Sequence, residues 1–295
     1  RTRPKQRSFK GARLDLALEP ELIRKLKETA TRSGASFVTT LLTTFELFIH
    51  KLTGDSDLVI GLPAAGQSDL GMKHLVGHCV NLLALRSRID EERPFLDHLK
   101  DRRSAVLDAF DNQKYTFGTL LRKLHVRREA GRIPLVPVVF NVDMNMDDGV
   151  AFEGLRHRFI SNPRVNEIFE LFLNATGSDE HLTLEWSYNT DLFDRRTVEG
   201  WMAQFQLLVQ RVAQDPGATI GELLAEDQVG GTDQLPPSDW LGASPDYPRN
   251  RSVGALFDEV AARFPERTVI TFLDERVTYR QLQQRVHALA ELLQK

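Results

Sequence analysis

The chain has 295 residues, 41% of them hydrophobic and 27% charged, with a formal net charge of -3 at pH 7. That balance fits one large globular unit plus something smaller, and it lacks the basic footprint that nucleic acid demands. The single cysteine, Cys79, excludes an intrachain disulfide, and no apolar run approaches the roughly 20 residues that span a bilayer, so a cytoplasmic protein without a membrane partner is expected.

After a polar lead-in, residues 12–18 alternate Leu14, Leu16 and Leu18 with polar neighbours, the period of a half-buried strand. Pro20 suits the first turn of a helix whose Leu22, Ile23, Leu26 and Ala30 share a face, and Ser33-Gly34 ends it. Ser36 can cap a second helix with a wide stripe of Phe37, Leu41, Leu42, Phe45, Phe48, Ile49 and Leu52. Strands are predicted over 57–62 and 81–89, then a helix over 94–112 with Phe95, Leu99, Val106 and Phe110 turned inward. A strand over 135–144 carries Pro137 near its start, where a missing N–H is tolerated. Three more strands, over 155–161, 169–175 and 181–189, follow closely enough to suggest antiparallel neighbours. Asp194 caps a closing helix to residue 214 with Val198, Trp201, Phe205, Leu208, Val209 and Val212 on one face. Residues 215–250 turn to Gly, Pro, Asp and Ser, the chemistry of a linker, interrupted by Ile220, Leu223 and Leu224. A helix over 253–264, a strand over 268–273, an Asp274-Glu275 turn and Val277-Thr278-Tyr279 then begin a new domain near Tyr247. The chain opens without methionine and stops within the helical period of Leu282, Val286, Leu289 and Leu293, which reads as a fragment.

Common enzyme signatures are missing: there is no phosphate-binding glycine loop, no G-x-S-x-G, no H-E-x-x-H and no cysteine pair. His74 and His78 have helical spacing, but Gly71 and Gly77 bracket them and no carboxylate joins the pattern, so no metal is expected. A different set of residues is more informative. Ile60-Gly61-Leu62-Pro63 runs into Gly66, and Val76-Gly77 leads through Val80-Asn81, Leu83 and Leu85-Arg86 back into a strand. Asn112-Gln113-Lys114-Tyr115-Thr116-Phe117 is followed by Leu120 and Leu124, then by Arg132-Ile133-Pro134-Leu135 with Val138, Phe140 and Asn141. Tyr188-Asn189-Thr190-Asp191-Leu192-Phe193-Asp194 closes the series. Taken bare, these are strand ends, glycine turns and helix starts. In this order they resemble the motifs of condensation domains of nonribosomal peptide synthetases: I-G-x-P, V-G-x-x-V-N-x-L-x-L-R, H-Q-x-x-P-F, R-x-P-L-x-x-V-x-F-N and Y-x-T-D-L-F-D. Asn112 and Thr116 stand in place of His and Pro. Gln67 replaces the more usual Arg after the I-G-x-P turn, and the aromatic that usually follows Gly77 is missing, a variation similar to mixed polyketide–peptide lines. Val277-Thr278-Tyr279-Arg280-Gln281-Leu282 resembles the first core motif of adenylation domains, L-T-Y-x-E-L.

The resemblance implies an α/β fold like chloramphenicol acetyltransferase, a mixed sheet with helices packed on it. It implies the C-terminal lobe of a condensation domain over 1–214, a linker over 215–246 and a truncated α/β start of an adenylation domain over 247–295. A whole condensation domain joins a carrier-protein-tethered acyl or peptidyl donor thioester to an aminoacyl acceptor, using an H-H-x-x-x-D-G motif in its first lobe. This sequence has no His-His pair. No catalytic residue is therefore expected here, and the piece alone is expected to be inactive. Asn141 and Asn81 are implied to orient thioester or amine in the substrate tunnel, with strand-end hydrogen bonding an equal reading of both. Gly61, Pro63 and Gly66 would form a floor loop. Gly77, Arg86, Gln113, Phe117, Arg132, Pro134, Phe140 and Asp191 complete the motif positions, and a crossover within 169–189 would latch onto the first lobe. The implied partners are upstream and downstream carrier proteins, the first lobe and the rest of the adenylation domain. No cofactor is expected on the piece itself, while the parent would use phosphopantetheine on its carriers and ATP with Mg in adenylation. A heterocyclization domain of the same superfamily and a non-catalytic scaffold that binds a carrier protein remain as alternatives.

Overall fold

A computed structural model of the chain describes residues 3–4, 6, 8–66, 71, 77–126, 131–144, 152–155, 161–178, 181–225, 252–272 and 275–293. Two compact units divide it, Arg1–Asp227 and Gln228–Lys295.

The first unit is built on β1 (Gly11–Leu18), α1 (Pro20–Arg32), α2 (Phe37–Thr53), β2 (Asp57–Ala65), β3 (Val80–Arg88) and α3 (Phe95–Asp111). It continues with α4 (Phe117–Leu124), β4 (Val138–Met144), β5 (Leu171–Gly177), β6 (Leu182–Asn189), α5 (Arg195–Gln214) and α6 (Ile220–Leu224). One mixed six-stranded sheet has the order β1-β6-β5-β4-β2-β3. The pairs β2–β4 and β4–β5 are parallel, and the other neighbours are antiparallel. The expectation of antiparallel neighbours thus holds for β5–β6, whereas β4 and β5 run parallel. A short connection between Gly177 and Leu182 can only make a hairpin, whereas the long stretch between Met144 and Leu171 gives room to cross over and enter in the same direction.

α2 is buried on nearly all sides from Thr39 to His50, polar residues included. The Phe45 ring centre lies 5.8 Å from Phe140 on β4, tilted, and edge-on 6.0 Å from Trp186 on β6 and 5.9 Å from Phe205 on α5. α2 and α5 therefore pack side by side on the same face of the sheet, both meeting Trp186. The threonines of α2 do not leave orphan polar groups: Thr43 Oγ1 donates to Thr39 O at 2.7 Å and Thr44 Oγ1 to Thr40 O at 2.9 Å. Ser36 caps it, accepting from Thr39 N at 3.0 Å, as its sequence suggested. On α3, Phe95, Leu99 and Val106 face inward, but Phe110 is 37% exposed at the rim of a cavity. The helix outlasts the surface it packs on by its last turn. The strand expected over 155–161 lies mostly outside the described residues.

The apolar patch at Ile220, Leu223 and Leu224 is a helix, and all three side chains are buried. A capping box starts α6: Thr219 accepts from Glu222 N at 3.2 Å, and Glu222 Oε2 accepts from Thr219 N at 2.8 Å. Its other end is held by cations on carbonyls, Lys51 Nζ donating to Leu224 O at 3.0 Å and Arg211 Nη1 to Leu223 O at 3.0 Å. Residues 226–250, which include most of the predicted linker and Tyr247, lie outside the described residues.

The second unit contains α7 (Val253–Arg263), β7 (Thr268–Phe272), β8 (Glu275–Thr278) and α8 (Tyr279–Leu293), with β7 and β8 antiparallel. Thr278 and Gln281 bracket the start of α8. Thr278 N donates to Gln281 Oε1 at 3.0 Å, and Gln281 N donates to Thr278 Oγ1 at 3.4 Å. The T-x-x-Q spacing is thus a reciprocal helix cap.

Candidate functional site

β2 and β4 pair at one register position, Gly61 opposite Val139, whereas β4 and β5 stay in register from Val138 to Met144. Where β2 and β4 part, the first unit holds a cavity of about 610 Å³ lined by Leu62, Pro63, Asn141 and Val142, with Ser36 and Thr39 of the α2 start and Arg103, Val106 and Phe110 of α3. The cavity lies beside the strands, before either reaches its carboxyl end, under the starts and faces of α2 and α3. Pro63 fits the parted stretch because it has no N–H to leave unpaired.

Two of the sequence motifs meet just below. A Cβ on Gly61 would lie 2.5 Å from Val136 Cγ1 and 2.9 Å from Val139 Cγ2, so only glycine admits the R-x-P-L-x-x-V segment against the strand. Val136 is driven there by a tight turn, with Val136 N donating to Pro134 O at 2.8 Å across Leu135 at φ +66°. Gly66 makes a second close approach. Its N donates to Cys79 O at 2.8 Å, and a Cβ would lie 2.9 Å from that oxygen.

Asn81 joins two more motifs. Its Nδ2 donates to Gln113 O at 2.7 Å and Tyr115 O at 3.1 Å, while Oδ1 accepts from Leu82 N at 2.9 Å and Phe117 N at 3.2 Å. A primary amide has two N–H groups and two lone pairs, and all four are taken up by this clamp. Asn81 thereby sets the start of α4, an element the sequence did not reveal, and turns Phe117 onto the small cluster of Val136, Val139 and Phe172. Asn141 has a different environment. It lines the cavity and donates from Nδ2 to Asn174 Oδ1 at 3.0 Å.

The remaining motif residues hold the frame. Arg86 pairs with Asp57 across β2–β3, with Nε to Oδ1 at 2.7 Å. Phe140 is fully buried against α2. Arg132 and Pro134 line a second cavity, of about 330 Å³, with Asp55 and Asp57 at the other end of β2. Asp191 N donates to Asn189 Oδ1 at 3.0 Å, and the turn delivers Asp194, which caps α5 by accepting from Thr197 N at 3.1 Å. The stretch 169–189, where a crossover was expected, supplies β5 and β6, two interior strands of the sheet. Gly77 and His78 are described, while Gln67, His74 and Val76 lie outside the described residues. Among the described residues no cluster of three His, Cys, Asp or Glu could hold a metal, and no helix is long and apolar enough to cross a membrane.

One feature of the site has no signal in the sequence. Asn141, Asn174 and Glu185 occupy facing register positions on β4, β5 and β6. They form a continuous polar row. Asn174 Nδ2 donates to Glu185 Oε2 at 3.0 Å and Thr176 Oγ1 at 2.9 Å, and Arg13 Nη1 of β1 lies 3.3 Å from Glu185 Oε1. Asn174 and Glu185 are 7% and 5% exposed, so each polar group needs its partner.

The model of the Condensation domain family matches residues 1–229. The chain is 31% identical over 294 residues to bacitracin synthase 3 of Bacillus licheniformis, covering 99% of this chain and 4% of that protein. It is 30% identical to surfactin synthase subunit 1 of Bacillus subtilis (strain 168), covering 98% and 8%. The chain thus spans less than a tenth of the length of either relative. Among solved structures, a four-domain nonribosomal peptide synthetase, holo-AB3403, bound to AMP and glycine, superposes with a TM-score of 0.69 at 19% identity, covering 99% of this chain and 23% of that one. That likeness shows a shared fold.

Proposed function

The chain belongs to the condensation-domain family, and from that premise we propose that it supplies one lobe of an amide-forming site in a nonribosomal peptide synthetase. The observation that carries the proposal is that the I-G-x-P and F-N segments line one cavity where β2 and β4 part. In the reaction the acceptor amine attacks the donor thioester carbonyl. A C–N bond forms, the C–S bond breaks, and the amine proton ends on the departing thiol. A carrier-bound phosphopantetheine arm delivers each partner. The residues of this chain would wall and polarise the tunnel, and the proton-handling histidine would come from an H-H-x-x-x-D-G lobe outside the sequence. By itself the chain would then form no amide. Residues 247–295 would begin the adenylation domain that, when complete, uses ATP and Mg to load the acceptor. The reciprocal cap at Thr278 and Gln281 fits that assignment, because it gives the T-Y-x-E spacing of the L-T-Y-x-E-L motif a physical reason.

Mixing residues 1–295 with a separately produced upstream lobe carrying H-H-x-x-x-D-G should restore amide formation from an acyl-carrier donor and an aminoacyl-carrier acceptor, while either piece alone stays silent. A folded pair that binds carriers and makes no amide would reject the reading in favour of a scaffold.

A further inference from the structure

We infer that the cavity of about 610 Å³ under α2 and α3 binds a single-chain aliphatic carboxylate, with the hydrocarbon tail between helices and sheet and the head on Arg103. Such binding needs the cavity alone and no amide-forming partner. The volume lies in the range of small-molecule pockets, and the lining has their make-up, mostly apolar with a few polar groups. Its inner part is aliphatic: Leu42, Leu62 and Val106 are buried, and Val142 is half-buried beside them. These walls offer dispersion contacts and no hydrogen-bond partner, so what they take from water is hydrocarbon. The outer part is open, with Leu107 53% exposed and Phe110 at the rim.

Arg103 gives the ligand its sign. Along α3 the neighbouring charges are engaged: Lys100 pairs with Asp97 at 2.9 Å, Asp101 with Arg93 at 2.9 Å, and Arg102 with Glu46 at 2.7 Å. Arg103 makes no hydrogen bond or ion pair among the described residues, and among them it is the one charged residue on the cavity wall. Its guanidinium lies against the turn between α1 and α2, where a Cβ added to Gly34, at φ +64°, would be 3.3 Å from Nη1. The other polar side chains of the wall have partners, Ser36 and Thr39 in each other at 2.9 Å and Asn141 in Asn174. An exposed fork of donors at the mouth, above an apolar floor, matches a carboxylate, which it can hold through two parallel N–H···O bonds. The amphiphile thus enters tail first and keeps its head at the water.

Calorimetric titration of the whole chain with octanoate and with decanoate, each below its micellar concentration, is the test. Binding should saturate at one site per chain, and the longer tail should tighten it about fifteenfold, at the worth of two buried methylenes. Decan-1-ol, with the same tail and no charge, should bind about fivefold more weakly than decanoate, the upper worth of an exposed ion pair. Arg103→Gln should weaken decanoate by about the same fivefold and leave decan-1-ol unchanged. Val38→Phe, which grows into the cavity from the first turn of α2, should abolish saturable binding of both. Should that variant fail to fold, Leu107→Asp at the exposed rim sets a carboxylate one turn from Arg103, where it competes for the guanidinium, weakening decanoate and sparing decan-1-ol. Binding that does not saturate, or that survives Val38→Phe in a folded chain, overturns the site. Equal affinity for decanoate and decan-1-ol, or decanoate indifferent to Arg103→Gln and Leu107→Asp, overturns the anionic head. Amide formation is read separately in the two-lobe mixture, so its failure removes the proposed reaction and leaves decanoate binding standing.

Discussion

His98, on α3, is 2% exposed, and its Nε2 is buried without a hydrogen-bond partner. Burial, and then the charges of Arg102 and Arg93, push its pKa down to about 4, against a smaller opposing pull from Asp101. The imidazole is therefore neutral in the fold at neutral pH, which leaves Arg102 free to make its bidentate pair with Glu46, at 2.7 and 2.8 Å. The sign of the linkage follows. Between pH 6.5 and about 4 the unfolded chain binds a proton at this position that the folded chain refuses. His98 therefore costs no stability above pH 6.5, and stability falls as pH drops through that window until the loss is complete below about 4. The full difference is about 3 kcal/mol. Urea titrations of the chain and of His98→Leu at pH 7 and at pH 4 should show the variant gaining on the parent by about that amount as pH falls. A gap that stays constant with pH would remove His98 from the acid limb. Residues of this kind also mark the limit of sequence reading. Asn141 stands out in its F-N motif, but Asn174 and Glu185 read as ordinary polar positions in strands, and only the pairing register of β4, β5 and β6 puts them in one row with it.

Among the elements, α6 shows how a segment can read as linker and act as structure. Gly, Pro and Asp around it lower the local hydrophobicity, yet three apolar residues within five positions suffice when neighbouring elements close over them. Phe95 N donates to Ala218 O at 2.9 Å and Ile220 N to Arg93 O at 2.9 Å, so the approach to α6 is laced to the start of α3. Thr219→Ala removes the side chain that caps α6 and should cost about 1 kcal/mol. Ending the chain after residue 214 in place of 225 should cost several times more, because it uncovers the partners of Ile220, Leu223 and Leu224 as well. Thermal unfolding of the first unit reads both. Equal melting temperatures for the two end points would make α6 an ornament. Elements with their own caps and wide apolar stripes, such as α2 and α5, were legible in the sequence, with Ser36 and Asp194 at their starts. α4 was not, because none of its residues is fully buried and its position is set by the distant Asn81 clamp. Strand direction was legible where a hairpin forces it and illegible across the long connection into β5.

At the scale of the molecule, the two units differ in how much holds them together. The first has a six-stranded sheet with α2 and α5 packed on it, and four aromatic rings, Phe45, Phe48, Trp186 and Phe205, in mutual edge or stacked contact. The second has a two-stranded sheet, and among its described residues only Ala261 and Val277 are buried apolar side chains. A two-stranded sheet with two helices buries too little to be strongly stable on its own, so if it opens an adenylation domain, as proposed, its ordering should depend on the rest of that domain. Local opening free energy should track this contrast. In native-state hydrogen exchange on the whole chain, amides of α2, β5 and β6 should exchange only through global unfolding of the first unit, with a denaturant dependence that matches its unfolding curve. Amides of α7 and α8 should exchange orders of magnitude faster, with little dependence on denaturant. Extending the chain by the rest of the proposed adenylation domain in one polypeptide should then slow α7 and α8 and leave α2 unchanged. If α7 and α8 are already as protected as α2 in the 295-residue chain, the second unit is a self-sufficient domain and its reading as the opening of a larger one fails.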